Sequence, residues 1–143
     1  MIKKVCVLGL DVGKKRIGVA GCDGTGLIAT ELITIHRQSF TSDIEKLKKL
    51  IETREATKLV VGLPILMDGS LGSQAKQIQK FGNRISTILN LPIEYIDERF
   101  TSLEAVSELK AQRKYSSYEK GLVDCYAAKI ILQRWLDQRH IAS

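Results

Sequence analysis

Val5-Cys-Val-Leu-Gly-Leu-Asp-Val-Gly-Lys-Lys-Arg-Ile-Gly-Val-Ala-Gly-Cys22 decides how this chain folds. Its first part, Val5 to Leu10, is a near-continuous apolar run, the pattern of a central strand covered on both faces. Asp11 ends that run. Gly13-Lys14-Lys15-Arg16 is a polar break, and Ile17 to Cys22 is β-branched and apolar again. A third apolar, β-branched run, Leu27 to His36, follows the turn chemistry of Asp23-Gly24-Thr25-Gly26. Three strands so close in sequence predict an antiparallel meander.

Beyond it, helical and strand patterns alternate. Ser42 and Glu45 read as a capping box before Ile44, Leu47, Leu50 and Ile51 at helical spacing. Leu59 to Leu63 is a buried strand. A helical stripe of Ala75, Ile78, Phe81, Ile85, Ile88 and Leu89 starts near Ser73, and Pro92 opens a strand through Ile96. Thr101 and Glu104 read as a second capping box, and a last helix is expected from about Tyr118 to Asp137. The predicted order is β-β-β-α-β-α-β-α-α, an α/β fold with a mixed five-stranded sheet and helices on both faces. Functional groups on such a sheet belong at strand ends and the loops beyond them.

The 143 residues predict one domain spanning 1–143. With 44% hydrophobic residues and only two prolines, a folded core is expected rather than disorder. Lys plus Arg exceeds Asp plus Glu by 22 to 16, and the net charge of +6 favours an anionic partner such as nucleic acid. The longest apolar stretch, residues 59–67, contains Gly62 and Pro64 and falls far short of the roughly 20 residues of a membrane span. Asp11 cuts off the apolar start too early for a secretory signal. Cys6, Cys22 and Cys125 lack metal-ligand spacing, and an odd number of cysteines predicts no disulfide framework. No membrane association and a cytoplasmic location are expected.

Acidic residues carry the functional signal. Asp11 ends the buried first strand, either in solvent at the sheet edge or aimed into a cleft, with three cations beside it. Asp97 and Glu98 end the strand Ile93 to Ile96; alternation puts them on opposite faces but does not choose between them. Asp124 shares a helix face with Ala127, Ala128, Ile131 and Trp135. A carboxylate on an apolar stripe is costly unless it is paired or binds a metal. The alternative is a favourable interaction with the helix N-terminus. Carboxylates from several elements at one sheet edge suggest a Mg²⁺ cage, and two such ions can drive phosphodiester hydrolysis. His36 and His140 have no ligand-like spacing.

Four stretches together resemble the YqgF/RuvX family, which has a ribonuclease H-like fold. They are Leu10-Asp-Val-Gly-Lys-Lys-Arg-Ile-Gly-Val-Ala20, Val60-Val-Gly-Leu-Pro-Ile-Leu-Met-Asp-Gly-Ser70 with Gly72 through Phe81, Asp97-Glu-Arg-Phe-Thr-Ser-Leu-Glu-Ala105, and Val123-Asp-Cys-Tyr-Ala-Ala128 with Ile130-Ile-Leu-Gln133. A lone DxG is weak, since sugar kinases and actin-like ATPases share it. The third and fourth stretches are far more specific. The resemblance implies a nuclease trimming the 5′ end of precursor 16S ribosomal RNA, with Holliday-junction resolvase as an older reading of the family. It implies that Asp11, Glu98 and Asp124 are catalytic and hold Mg²⁺ or Mn²⁺, and so favours Glu98 over Asp97. Cys125 stands where many relatives have a small polar residue. Gly121 stands where relatives are often basic, which leaves phosphate contact there to Lys120.

Lys14, Lys15, Arg16, Arg99 and Lys120, with Arg113 and Lys114, adjoin the carboxylates in sequence and are expected to contact a nucleic-acid backbone. The Pro64 to Gly72 junction, with Met67 and Leu71, is expected to be a mobile substrate loop or a contact surface. The expected partners are structured precursor rRNA, or a DNA junction, and ribosomal particles. A monomer or a homodimer is expected, a resolvase requiring the dimer for symmetric cuts. A non-catalytic RNA-binding module is the competing class. An actin-like phosphotransferase is excluded because the chain is too short for two lobes.

Overall fold

The computed structural model describes residues 5–98 and 117–142; in the last helix it describes side chains over 123–139. Five strands form one sheet: β1 (Val7–Val12), β2 (Arg16–Cys22), β3 (Ala29–His36), β4 (Lys58–Leu63) and β5 (Ile93–Asp97). Their spatial order is β3-β2-β1-β4-β5. The expected meander is present: β1 and β3 both run antiparallel to β2. β4 lies parallel to β1, and β5 parallel to β4. The crossovers carry helices α1 (Phe40–Arg54) and α2 (Ser73–Leu89), and α3 (Ser117–Ala142) follows β5. The remaining expected helix, with its Thr101–Glu104 capping box, lies outside the described residues.

Period-two alternation sorts the central strands between two cores. Leu8, Leu10, Ile17, Val19, Leu59 and Val61 pack with Leu47 of α1 and Ala75, Ile78 and Ile85 of α2. Val7, Ala20, Val60 and Ile96 pack with Ala128, Ile131, Leu132 and Leu136 of α3 on the other face. Helices cover both faces, which is why β1 and β4 read as continuous apolar runs rather than alternating ones.

Four local expectations are corrected. Helix α1 is capped by Ser39, not Ser42: the Ser39 side chain accepts from the Ser42 backbone N–H at 3.1 Å. The expected box places the cap one turn too late. β3 begins at Ala29, not Leu27. Asp23 Oδ1 accepts from the backbone N–H groups of Leu27 (3.1 Å) and Ile28 (3.2 Å), so both belong to the turn. Ile88 is 52% exposed and does not extend the buried stripe of α2. The last helix starts at Ser117, close to the expected Tyr118, but runs past Asp137 to Ala142.

Candidate functional site

Asp11 lies on the α3 face of the sheet. Its alternation partners on β1 identify that face: Val7 packs in the α3 core, and a side chain at Gly9 would collide with Leu132 Cβ. Gly9 therefore seats α3 against β1. A Cβ at Gly13 would likewise meet the Arg16 carbonyl at 2.9 Å, so neither glycine leaves open space beside Asp11.

The room around Asp11 comes from two other glycines. Across the β1–β2 ladder Asp11 pairs with Gly18. A Cβ on Gly18 would overlap the backbone carbonyl of Asp124 and lie 3.0 Å from Cys125 N. The absent side chain lets α3 rest on β2 at the level of Asp124. On the other side, the β1–β4 ladder ends at Leu10 and Val61, and Asp11 and Gly62 are the next residues on the two strands. A Cβ on Gly62 would overlap Glu98 Oε1 and stand 2.7 Å from Ile131 Cδ1. The Glu98 carboxylate thus lies across Gly62, on the face that carries Asp11. The Glu98 backbone N–H donates to the Leu63 carbonyl at 3.0 Å, which carries the β4–β5 pairing one residue past β5.

Alternation now separates the two acids that end β5. Ile96 packs in the α3 core and Tyr95 in the opposite one. Glu98 has the parity of Ile96 and Asp97 that of Tyr95. Asp11, Glu98 and Asp124 therefore share one face of the sheet, whereas Asp97 belongs to the other.

The three acids do not close into a cage. Among the described residues no group of three or more His, Cys, Asp or Glu is arranged to hold a metal ion. Asp124, only 6% exposed, is instead turned to a cation: Arg16 Nε donates to its Oδ2 at 2.6 Å. Ala127, Ala128 and Ile131 are buried on the same helix face, as the stripe predicts. Trp135 sits at its edge, partly exposed, and donates to Glu94 Oε2 at 3.1 Å. Cys125 is buried and hydrogen-bonded, with its Sγ 2.7 Å from Thr34 Oγ1. Burial pushes the Cys22 thiol above its ordinary range, and its Sγ donates to the Val5 carbonyl.

Of the expected nucleic-acid contacts, Lys14 and Lys15 are exposed on the β1–β2 hairpin. Arg16 is turned to Asp124. Arg99, Arg113 and Lys114 lie outside the described residues, as does the side chain of Lys120 on α3. Arg37, not singled out in the sequence, donates Nη1 to the Gly13 carbonyl at 2.6 Å, and its guanidinium lies 4.8 Å over the Phe81 ring. With Lys14, Gln74 and Gln77 it lines a cavity of about 140 Å³ beside the hairpin. The β4–α2 junction is tied by its own hydrogen bonds. Leu66 N–H donates to the Ser70 carbonyl at 3.0 Å, and Asp68 Oδ1 accepts from Ser70 N–H at 2.9 Å. It presents Leu66 and Met67 outward, 51% and 77% exposed, while Leu71 packs inward.

Comparison with known proteins gives a consistent picture. A family model described as "RuvX: Holliday junction resolvase" matches residues 5–138. A protein of Crocosphaera subtropica named "Putative pre-16S rRNA nuclease" is 65% identical over 138 residues, covering 96% of this chain and 96% of its own. A Rippkaea orientalis protein of the same name is 62% identical over 138 residues, covering 96% of this chain and 99% of its own. Among solved structures, Thermus thermophilus RuvC in complex with a Holliday junction substrate superimposes with a TM-score of 0.54 at 12% identity, covering 95% of this chain and 96% of that one. At that identity the likeness is one of fold: the mixed five-stranded sheet expected from the sequence pattern, and the ribonuclease H-like fold that the family resemblance implies.

Proposed function

Since this chain belongs to the RuvX family, we propose that it is a nuclease that hydrolyses phosphodiester bonds at the 5′ end of precursor 16S ribosomal RNA, with Asp11, Glu98 and Asp124 as its catalytic acids. The observation that carries this reading is the flanking of Asp11 by Gly18 and Gly62. Their missing side chains leave the room into which Asp124 and Glu98 are brought from α3 and from the end of β5.

The donor set fits a hard divalent cation. Carboxylate oxygens suit Mg²⁺ or Mn²⁺, which keep several waters and need few protein ligands. When bound, such an ion supplies activation of the attacking water and charge balance at the leaving oxygen. Asp11 would be the central ligand, because β1 is the central strand and is paired on both sides. Glu98 and Asp124 would complete the set from its two flanks. Lys14 and Lys15 would position the phosphate backbone without reading sequence. Arg99 and Lys120, which lie near Glu98 and Asp124 in sequence, would share that role. The protein would act in the cytoplasm on precursor ribosomal particles.

The family description also names Holliday-junction resolution, so a four-way DNA junction is the second substrate to test. Wild type and Asp11→Asn would be compared on a precursor rRNA 5′ segment and on a four-way junction, with Mn²⁺ or Mg²⁺ supplied. The expected result is cleavage of the RNA by wild type and none by the variant, with circular dichroism unchanged. Preferential cutting of the junction by a dimer would move the substrate to DNA. Undiminished cleavage by Asp11→Asn would remove the catalytic assignment.

A further inference from the structure

Arg16 and a divalent cation would claim the same oxygen of Asp124. Arg16 opens β2 and faces α3, two residues before Gly18. Its Nε lies 2.6 Å from Asp124 Oδ2, with the two side chains 22% and 8% exposed. A short charge-assisted hydrogen bond of this kind occupies a carboxylate lone pair along its axis. A metal ion on that oxygen would crowd the guanidinium, and two cations at one partly buried carboxylate repel each other.

We propose that Arg16 is a positioning residue that holds the Asp124 carboxylate aimed before the cation arrives, and is displaced by it. The proposal rests on Asp124 being a metal ligand, as argued above. The backbone of Arg16 is pinned. Its carbonyl accepts from Gly13 N–H at 2.9 Å, and the residue pairs with His36 across the β2–β3 ladder. Only the long, flexible side chain has to move. Once displaced, the guanidinium remains on the hairpin that carries Lys14 and Lys15, where a substrate phosphate would meet it. Its planar fork suits phosphate better than a lysine ammonium does. The family's cation and the chain's own arginine thus alternate at Asp124, and the charge released by one is available to the other's substrate.

The test is a Mn²⁺ titration of the full chain by calorimetry, with melting in excess chelator alongside. Arg16→Ala should bind Mn²⁺ roughly three- to tenfold more tightly than wild type, because the ion no longer competes for Asp124. The same variant should melt lower than wild type in chelator, and Mn²⁺ should raise its melting temperature more. Arg16→Gln keeps an N–H donor but not the charge, and should lie between the two. It also serves if Arg16→Ala does not fold. Mn²⁺ affinity that is unchanged or weaker in both variants overturns the proposal. Asp124→Asn separates the two levels of the argument. If it leaves Mn²⁺ binding intact, the metal assignment of Asp124 fails and the proposal falls with it. If it abolishes binding while the Arg16 variants bind like wild type, only the role of Arg16 fails.

Discussion

The Glu98 carboxylate lies across Gly62, in the space that any side chain at that position would need. That contact links the end of β5 to β4 on the face where Asp11 stands. It makes a glycine in the middle of a strongly β-forming run a requirement of the site rather than a weakness of the strand.

Gly62→Ala and Gly18→Ala should separate activity from stability. At Gly62 the new Cβ meets the tips of two flexible side chains, the Glu98 carboxylate, which can swing aside, and Cδ1 of buried Ile131 at 2.7 Å. Cleavage should fall by more than tenfold, with a smaller drop in the urea midpoint than at Gly18. At Gly18 it meets the backbone of Asp124, which cannot move without shifting α3. That variant should lose roughly 1–3 kcal/mol of stability, the usual cost of overpacking. Urea denaturation beside a cleavage assay decides both, and equal stability losses would contradict the geometry.

Glu98→Gln and Asp97→Asn test the choice between neighbouring acids. The first should lower metal-dependent cleavage by more than roughly a hundredfold, beyond what loss of an outer hydrogen-bond partner costs. The second should stay within a few fold of wild type, because Asp97 has the parity of Tyr95 on the opposite face. Cleavage rates at saturating Mn²⁺ measure both, and the reverse ranking would reassign the ligand.

Asp43 is 2% exposed and joins the start of α1 to the segment before it. Its Oδ1 accepts from Gln38 N–H at 3.2 Å, and its Oδ2 lies 3.8 Å from Arg37 Nε. Asp43→Ala leaves a backbone donor and a guanidinium without this partner. A loss of about 1–3 kcal/mol is expected, read as a lower urea midpoint. A change below measurement error would show that the carboxylate is dispensable.

Glu94 supplies a pH-dependent contribution. The Lys58 ammonium, 2.7 Å from Oε2, holds its carboxyl below the usual glutamate range, opposed by burial and helped by the Trp135 indole. Because the folded-state pKa is depressed, the stabilisation is present above the unfolded value, about 4.3, and is lost as pH falls through the lower folded value. The carboxylate is half exposed, so screening keeps the effect to roughly 0.2–1 kcal/mol. Glu94→Gln should melt slightly below wild type at pH 7, and the gap should close as pH falls through the lowered folded value. A gap that persists in acid would assign the difference to packing.

The order of strands and helices was legible in the chain because it rests on local periodicity: apolar runs where both faces are covered, and turn residues between them. Val5 to Cys22 alone specifies a central strand, a basic hairpin and its partner strand. Asp11 and Asp124 were legible as candidates because an acid adjoining or facing apolar surface breaks the pattern that surrounds it. The choice of Glu98 over Asp97 was not readable from alternation alone, since period two has no origin until a neighbouring strand and helix define which face is which. The same limit hid Gly18, Gly62 and the Arg16–Asp124 pair, which span 108 positions of sequence. Local sequence records what each residue prefers beside its neighbours. Only packing α3 onto the sheet determines which glycines must be empty, which carboxylates share a face, and which cation neutralises the acid buried between them.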